Sequence, residues 1–390
     1  MTRLPKISRR LFSVGVAIAV GVLVLGLLRW PGALGDEVIK SSVPSSVSLR
    51  QVARVPLQSD KGGSSSASAL AWSPDGRRLA VVFDWGYQVV VLDTSTWREV
   101  SRFKGRSFQP ERSLAFLSNS EIVTAPERNN DDSPFALAVY DSETGKIIRQ
   151  IPRPSGFTFA HTNTIVVPAN RKYIAMIAAT MRSTTLLFDA SSGEFLGRLA
   201  TPLDSTTRVL AGGPGNKLAV SASFLLERAL PGVRKEIYVF DAATNTVDRI
   251  LAGHVPGMWS LAWSPDGRLI ASGATMLRGS SSEGWIRDLD PIRVWDAATG
   301  DMVVSFVGVY DPIGRLAWHP LKPILATESA RGDGNSGSAV RLWSIFRKEM
   351  IFEYLAPYGG AITELSFHPK TGHLVWSRRG ELQVFEVLGL

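Results

Sequence analysis

The sequence predicts an all-β fold, a seven-bladed β-propeller preceded by one N-terminal transmembrane or signal helix. Three observations carry this. Hydrophobic runs ending in an acidic or polar residue recur seven times: Val91-Leu92-Asp93, Val139-Tyr140-Asp141, Leu187-Phe188-Asp189, Val239-Phe240-Asp241, Val294-Trp295-Asp296, Leu342-Trp343-Ser344 and Val384-Phe385-Glu386. Their final positions lie 48, 48, 52, 55, 48 and 42 residues apart, the period of radially repeated four-stranded blades. Thirty-five glycines and 22 prolines suit many short strands joined by turns. The third observation is an uncharged apolar stretch at residues 11–28.

Residues 1–30 carry Arg3, Lys6, Arg9, Arg10 and Arg29 and no acid, which is five of the eight formal positive charges of the chain. No Lys/Arg block longer than two occurs in the repeats, which argues against a phosphate-binding stripe and a nucleic-acid partner. The 18 residues from Leu11 to Leu28 would span about 27 Å as a helix, close to a bilayer core. Cations before it and Asp36-Glu37 after it orient the remainder to the exported side. The expectation is a cytoplasmic-membrane anchor through residues 11–28, with the propeller on the periplasmic or extracellular side. The alternative is cleavage near Gly35, leaving a soluble exported protein. Ser8-Arg9-Arg10-Leu11-Phe12 resembles the twin-arginine export signal, although Ser13 and Val14 depart from the Leu-Lys that usually follows. The chain has no cysteine, hence no disulfide, thiolate ligand or lipoprotein attachment site.

Residues 31–48 read as a Ser/Pro-containing linker, with 37–48 a flexible tether. Propeller repeats occupy 49–390. Each opens on a strand and turn, seen most fully in Leu70-Ala-Trp-Ser-Pro-Asp-Gly-Arg-Arg-Leu-Ala-Val81 and Leu261-Ala-Trp-Ser-Pro-Asp-Gly-Arg-Leu-Ile-Ala-Ser272. Proline presets φ and Asp-Gly tolerates positive φ, so the chain reverses there. The strand before the turn is the inner one, the next the second, and the run ending in Asp the third. The last repeat stops after its third strand, and residues 49–57 look like an outer strand. They are expected to complete the seventh blade as a clasp, leaving no open edge at the closure.

Gly253-His254 and Val294-Trp295-Asp296 bracket the fifth repeat, and with seven copies in register the chain resembles a WD-repeat propeller. In that family a His, a Ser, a Trp and an Asp form a buried hydrogen-bonded tetrad. The resemblance implies His254, Ser272 and Trp295 here, with Asp290 (or Asp288) as a loose candidate for the fourth member. No other repeat keeps the His. Trp-Ser-Pro-Asp-Gly also resembles the repeats of the periplasmic propeller of the Tol envelope system.

Motifs for nucleophilic, phosphate-binding, dinucleotide or zinc-protease chemistry are missing, so no catalytic, cofactor-binding or metal residue is expected. His319 and His368 stand at the same position before Pro320 and Pro369, which predicts turn structure rather than a metal pair. Asn129-Asn130-Asp131-Asp132 and Asp333-Gly334-Asn335 read as solvated turns. His161 is the one histidine placed to face a ligand.

Between second and third strands, insertions fall at 126–135, 223–235, 274–290 and 329–338. Strand direction alternates through a blade, so these links share a face with those leading into each inner strand. Insertions gathered on one face of a rigid scaffold build binding surfaces. Arg112, Arg208, Trp259, Tyr310 and Tyr358 lie in or beside the inbound links and are of the types that dominate interface energy. The predicted function is a non-catalytic scaffold for unidentified protein partners. The alternatives are a propeller enzyme of lactonase or quinoprotein type with an axial-channel site, or a Tol-type envelope-assembly propeller.

Overall fold

Both ends of the described chain meet in one blade. The computed structural model describes residues 38–390 except 61–64, 84–87, 105–112, 126–133, 158–160, 180–182, 202–204, 225–234, 255–257, 275–276, 279–284, 287–289, 308–310, 331–336 and 358–359; within the strands and the short hairpin it leaves out the side chains of 161–163, 179, 205–206, 208, 222–224, 235, 254, 259, 277–278 and 285–286. Every regular element described is a strand. Among the described residues no helix is long and apolar enough to cross a membrane; residues 11–28, with Arg9 and Arg10, lie outside them.

Seven inner strands, one per blade, run Ala69–Trp72, Leu114–Phe116, His161–Val166, Ser205–Gly212, Met258–Trp263, Ile313–Trp318 and Ile362–Phe367. In blades 1 to 6 the second, third and outer strands follow in sequence order, all antiparallel. Blade 5 also carries a short hairpin, Leu277–Arg278 with Trp285–Ile286, in the insertion between its second and third strands. The third strands are buried almost throughout, as in Gln88–Asp93 and Ser338–Ser344. A strand sandwiched between neighbours on both faces reads as a continuous apolar run, which explains the seven marks.

Blade 7 runs Ile362–Phe367, Leu374–Arg378, Glu381–Leu388, and then Ser48–Pro56 as its outer strand. Ser48 stands opposite Leu388 and Pro56 opposite Glu381, with one bulge at Val52. Leu49 is fully buried with Phe352, Trp376 and Phe385, whereas Val55 and Leu57 pack against Val81 and Phe83 of blade 1. The clasp strand therefore touches both neighbouring interfaces.

Of residues 37–48, read as a flexible tether from their serines, 38–48 have fixed partners. Val38–Lys40 adds a fifth strand outside Ser48–Pro56. The next residues reach the outer strand of blade 6: Ser42 N donates to Glu353 O at 2.8 Å, Glu353 N to Ser41 Oγ at 2.9 Å, and Ser42 Oγ to Glu353 Oε2 at 2.7 Å. Ser45 Oγ donates to Ile351 O. Serine hydroxyls hydrogen-bond backbone groups as readily as they do water, and here they cover a strand edge that would otherwise be open.

Seven apolar clusters lie among the described residues, each joining adjacent blades. The turns between third and outer strands explain the recurrent Asp. Asp93 Oδ1 accepts from the amides of Ser95 and Thr96 at 3.0 and 3.1 Å, and Asp189 repeats this with Ser191 and Ser192 at 2.9 and 2.8 Å. Asp141, Asp241 and Asp296 do the same. These are side-chain-capped turns. In blade 6 Ser344 Oγ takes the role, accepting from Arg347 N at 3.1 Å.

Candidate functional site

The inner strands enclose an axial cavity of about 420 Å³ lined by all seven blades. Its waist is made of small side chains at matching positions, among them Ala71, Ala115, Ala211, Ala262 and Ala317. Two ends of different chemistry result. Toward the insertion-bearing side, Arg315 Nε donates to Glu364 Oε1 at 2.8 Å, with side-chain exposures of only 14% and 6%. Toward the turn side, the last inner-strand position is aromatic in five blades: Trp72, Phe116, Trp263, Trp318 and Phe367. Trp72 Nε1 donates to Ser366 Oγ at 2.9 Å and Trp318 Nε1 to Ala262 O at 3.0 Å, each reaching back to the preceding blade. Blades 3 and 4 have Val167 and Gly212 instead, and at this gap Arg171 enters the lining.

In or beside the inbound links the chain also carries Asp204, Asp311 and Glu364. Asp311 pairs with Arg341 at 3.0 Å, and Arg341 also binds Glu353 at 2.8 Å and Ser329 Oγ at 2.8 Å. Glu353 is the residue that receives Ser42, so this network ties the N-terminal segment to blade 6. Asp204 and the side chain of His161 lie outside the described residues. Among the described residues no group of three or more His, Asp or Glu side chains is arranged to hold a metal ion.

Of the four residues assigned to a tetrad, two are joined directly: Trp295 Nε1 donates to Ser272 Oγ at 2.8 Å, both buried. Blade 6 repeats the link with Trp343 Nε1 and Thr327 Oγ1 at 3.0 Å. Asp290 Oδ2 lies 3.9 Å from Arg293 Nη2, and Arg293 Nη1 donates to Gly253 O. The strand Thr246–His254 includes His254, whose side chain is outside the described residues, as is Asp288.

Arg112, Tyr310 and Tyr358 fall outside the described residues, as do the side chains of Arg208 and Trp259. The backbone of the last two is placed. Register shifts between Thr207 and Val209, and between Met258 and Ser260, make Arg208 and Trp259 the bulged residues of adjacent inner strands. The same shift recurs at Gly314 and Thr363 in blades 6 and 7. A bulge leaves one residue unpaired and re-aims it, so this is a repeated rim position. Most of the insertions, including 331–336 with its Arg-Gly-Asp sequence, are outside the described residues.

The histidines before proline form turns. His319 Nδ1 accepts from the amides of Leu321 and Lys322 at 3.1 and 3.2 Å, and His368 Nδ1 from Lys370 and Thr371 at 3.0 and 3.2 Å. Ser73 Oγ serves the same turn in blade 1, accepting from Arg78 N at 2.9 Å. Burial, with Lys322 nearby, depresses the His319 pKa to about 4; His368 shifts the same way through burial.

Sequence reasoning missed Arg171, because it sits in a turn of the third repeat whose Pro-Asp-Gly pattern has decayed. The signal was the missing glycine. Arg171 N donates to Pro168 O at 2.9 Å as Gly76 N does to Ser73 O, and Arg171 has φ +57 where Gly76 has +76.

The architecture is that of a seven-bladed β-propeller whose Trp–Ser and Trp–Thr links tie the third strand to the second. Residues 245–282 match the WD domain, G-beta repeat family, a stretch that begins with the outer strand of blade 4 and includes the inner and second strands of blade 5. With seven blades in register, this match supports a likeness to the WD-repeat propellers. No curated protein matches it.

Proposed function

We propose that this protein is a non-catalytic interaction scaffold, exported and held at the outer side of a cytoplasmic membrane by residues 11–28. Partners dock on the face that carries the insertions and the inbound links. The observation supporting this reading is the inner-strand bulge of blades 4 and 5, which gives Arg208 and Trp259 equivalent backbone positions on that rim. Bulges are sites where a sheet re-aims side chains for use, and a rigid ring presents them with little backbone change on binding. WD-repeat folds commonly serve as interaction scaffolds, and function on such folds resides in sites grafted on them. The test is crosslinking followed by pull-down from membranes, comparing the unaltered chain with Arg112→Ala, Arg208→Ala and Trp259→Ala. Loss of specific bound proteins is expected. An unchanged set of partners in all three variants sinks the assignment of this face.

A further inference from the structure

The turn-side mouth of the axial cavity contains a cation that the fold does not require. Arg171 is half-buried and donates from Nη1 to Phe116 O at 2.6 Å. Among the described residues no carboxylate pairs with it, and burial alone pushes its pKa down from the usual arginine value. Guanidinium carries five N–H donors, so the bond to Phe116 leaves most of them available.

Position and backbone argue that this is more than gap filling. The equivalent turns of blades 1 and 5 place Gly76 and Gly267 here, at φ +76 and +72. Arg171 accepts the same left-handed backbone, a region that side chains disfavour. Its arrival coincides with the break in the aromatic ring at Val167 and Gly212. The cavity therefore has a waist of small side chains, aromatic edges and one cation beside the gap. At the other end Arg315 and Glu364 neutralise each other. The net charge of the described lining is thus a single positive charge.

We infer that the axial cavity binds a small monocarboxylate, held at Arg171, with its body along the alanine waist. A volume of about 420 Å³ falls within the range of small-molecule pockets. Arginine matches the carboxylate fork in two-point geometry. A dianion would bring a second negative charge to a described lining whose net charge is a single positive one, and an unpaired charge taken out of water is costly. The site is separate from the insertion-bearing face and stands independently of partner docking there.

Isothermal titration calorimetry on the full chain tests this, with 3-phenylpropionate as the probe and 3-phenylpropionamide as its neutral match. The carboxylate is expected to bind and the amide to bind roughly 10- to 100-fold more weakly, as expected for losing a charge-assisted bond. Arg171→Gly is the decisive variant, because glycine suits the left-handed backbone and the protein should remain folded, with an unaltered melting temperature or a higher one. It should reduce carboxylate affinity to that of the amide, while Arg171→Lys retains part of the preference. Equal affinity for acid and amide, binding unchanged in Arg171→Gly, or no heat from the carboxylate at millimolar concentration would each overturn the inference.

Discussion

Truncating Leu49 in the clasp strand isolates how the ring is closed. Leu49 is fully buried among Phe352, Ala356, Trp376 and Phe385, at the interface of blades 6 and 7. Leu→Ala at such sites costs about 2–5 kcal/mol, the lost transfer energy plus that of the cavity left behind. Neighbouring aromatic rings collapse poorly, so about 3 kcal/mol is expected here. With roughly 2 cal/mol/K of unfolding entropy per residue, a domain of this size loses on the order of 4 °C in Tm. Val38→Ala provides the control. It lies in the fifth strand of the same blade, yet Val38 is 44% exposed, so its effect should stay within about 0.5 kcal/mol. Urea denaturation and calorimetry of both variants give the comparison. If Leu49→Ala shifted the transition no more than Val38→Ala, the outer strand would not be part of the cooperative unit.

Ser272→Ala strands the buried Trp295 Nε1 donor and should destabilise by about 1–3 kcal/mol; Thr327→Val should do the same in blade 6 through Trp343, measured by urea midpoint. Glu364→Gln removes the carboxylate charge that Arg315 Nε donates to in the channel and should cost roughly 3 kcal/mol, whereas an unchanged midpoint would mean that other groups already compensate the pair. His319 has a folded-state pKa of about 4, below the ordinary histidine value. The unfolded chain therefore binds more protons between them. Its stabilising contribution is complete above about pH 6.5 and declines as the pH falls toward 4. His319→Asn, which can still accept the turn amides, should flatten that part of the stability–pH curve. The depressed Asp189 pKa, brought to about 2 chiefly by the Ser191 hydroxyl, contributes stability above the ordinary aspartate range that is lost as pH falls toward 2. Asp189→Asn should make the acid limb shallower.

The architecture was legible because each third strand is buried on both sides, so blade period and strand order are written in continuous apolar runs. The role of His319 and His368 was legible for a related reason, since both occupy the position of the turn serine in Ser73-Pro74. The N-terminal serines were not. Ser41, Ser42 and Ser45 have the composition of a flexible segment, and the bonds that fasten them to the edge of blade 6 reach a strand 306 to 312 positions away, which no local pattern records. Inner-strand bulges were equally hidden, because a one-residue shift at Arg208 or Trp259 is a property of cross-strand register rather than of any local pattern. Arg171 escaped because it matters through what two neighbouring blades lack, aromatic rings at Val167 and Gly212, and a motif search registers what is present.

Arg50 and Glu386 form an ion pair across the clasp although they stand 336 positions apart. Blades 1 to 6 join strands that follow one another in sequence, so each can form as soon as its own segment leaves the ribosome. Blade 7 cannot, because the edge of Ser48–Pro56 that faces away from Val38–Lys40 must wait until Glu381–Leu388 has been made. Contacts of such separation are slow to form, and a bare strand invites wrong partners meanwhile. The seam therefore sets the timetable: the domain stays an open arc until Glu381–Leu388 has been made, and becomes a ring only when that strand meets Ser48–Pro56.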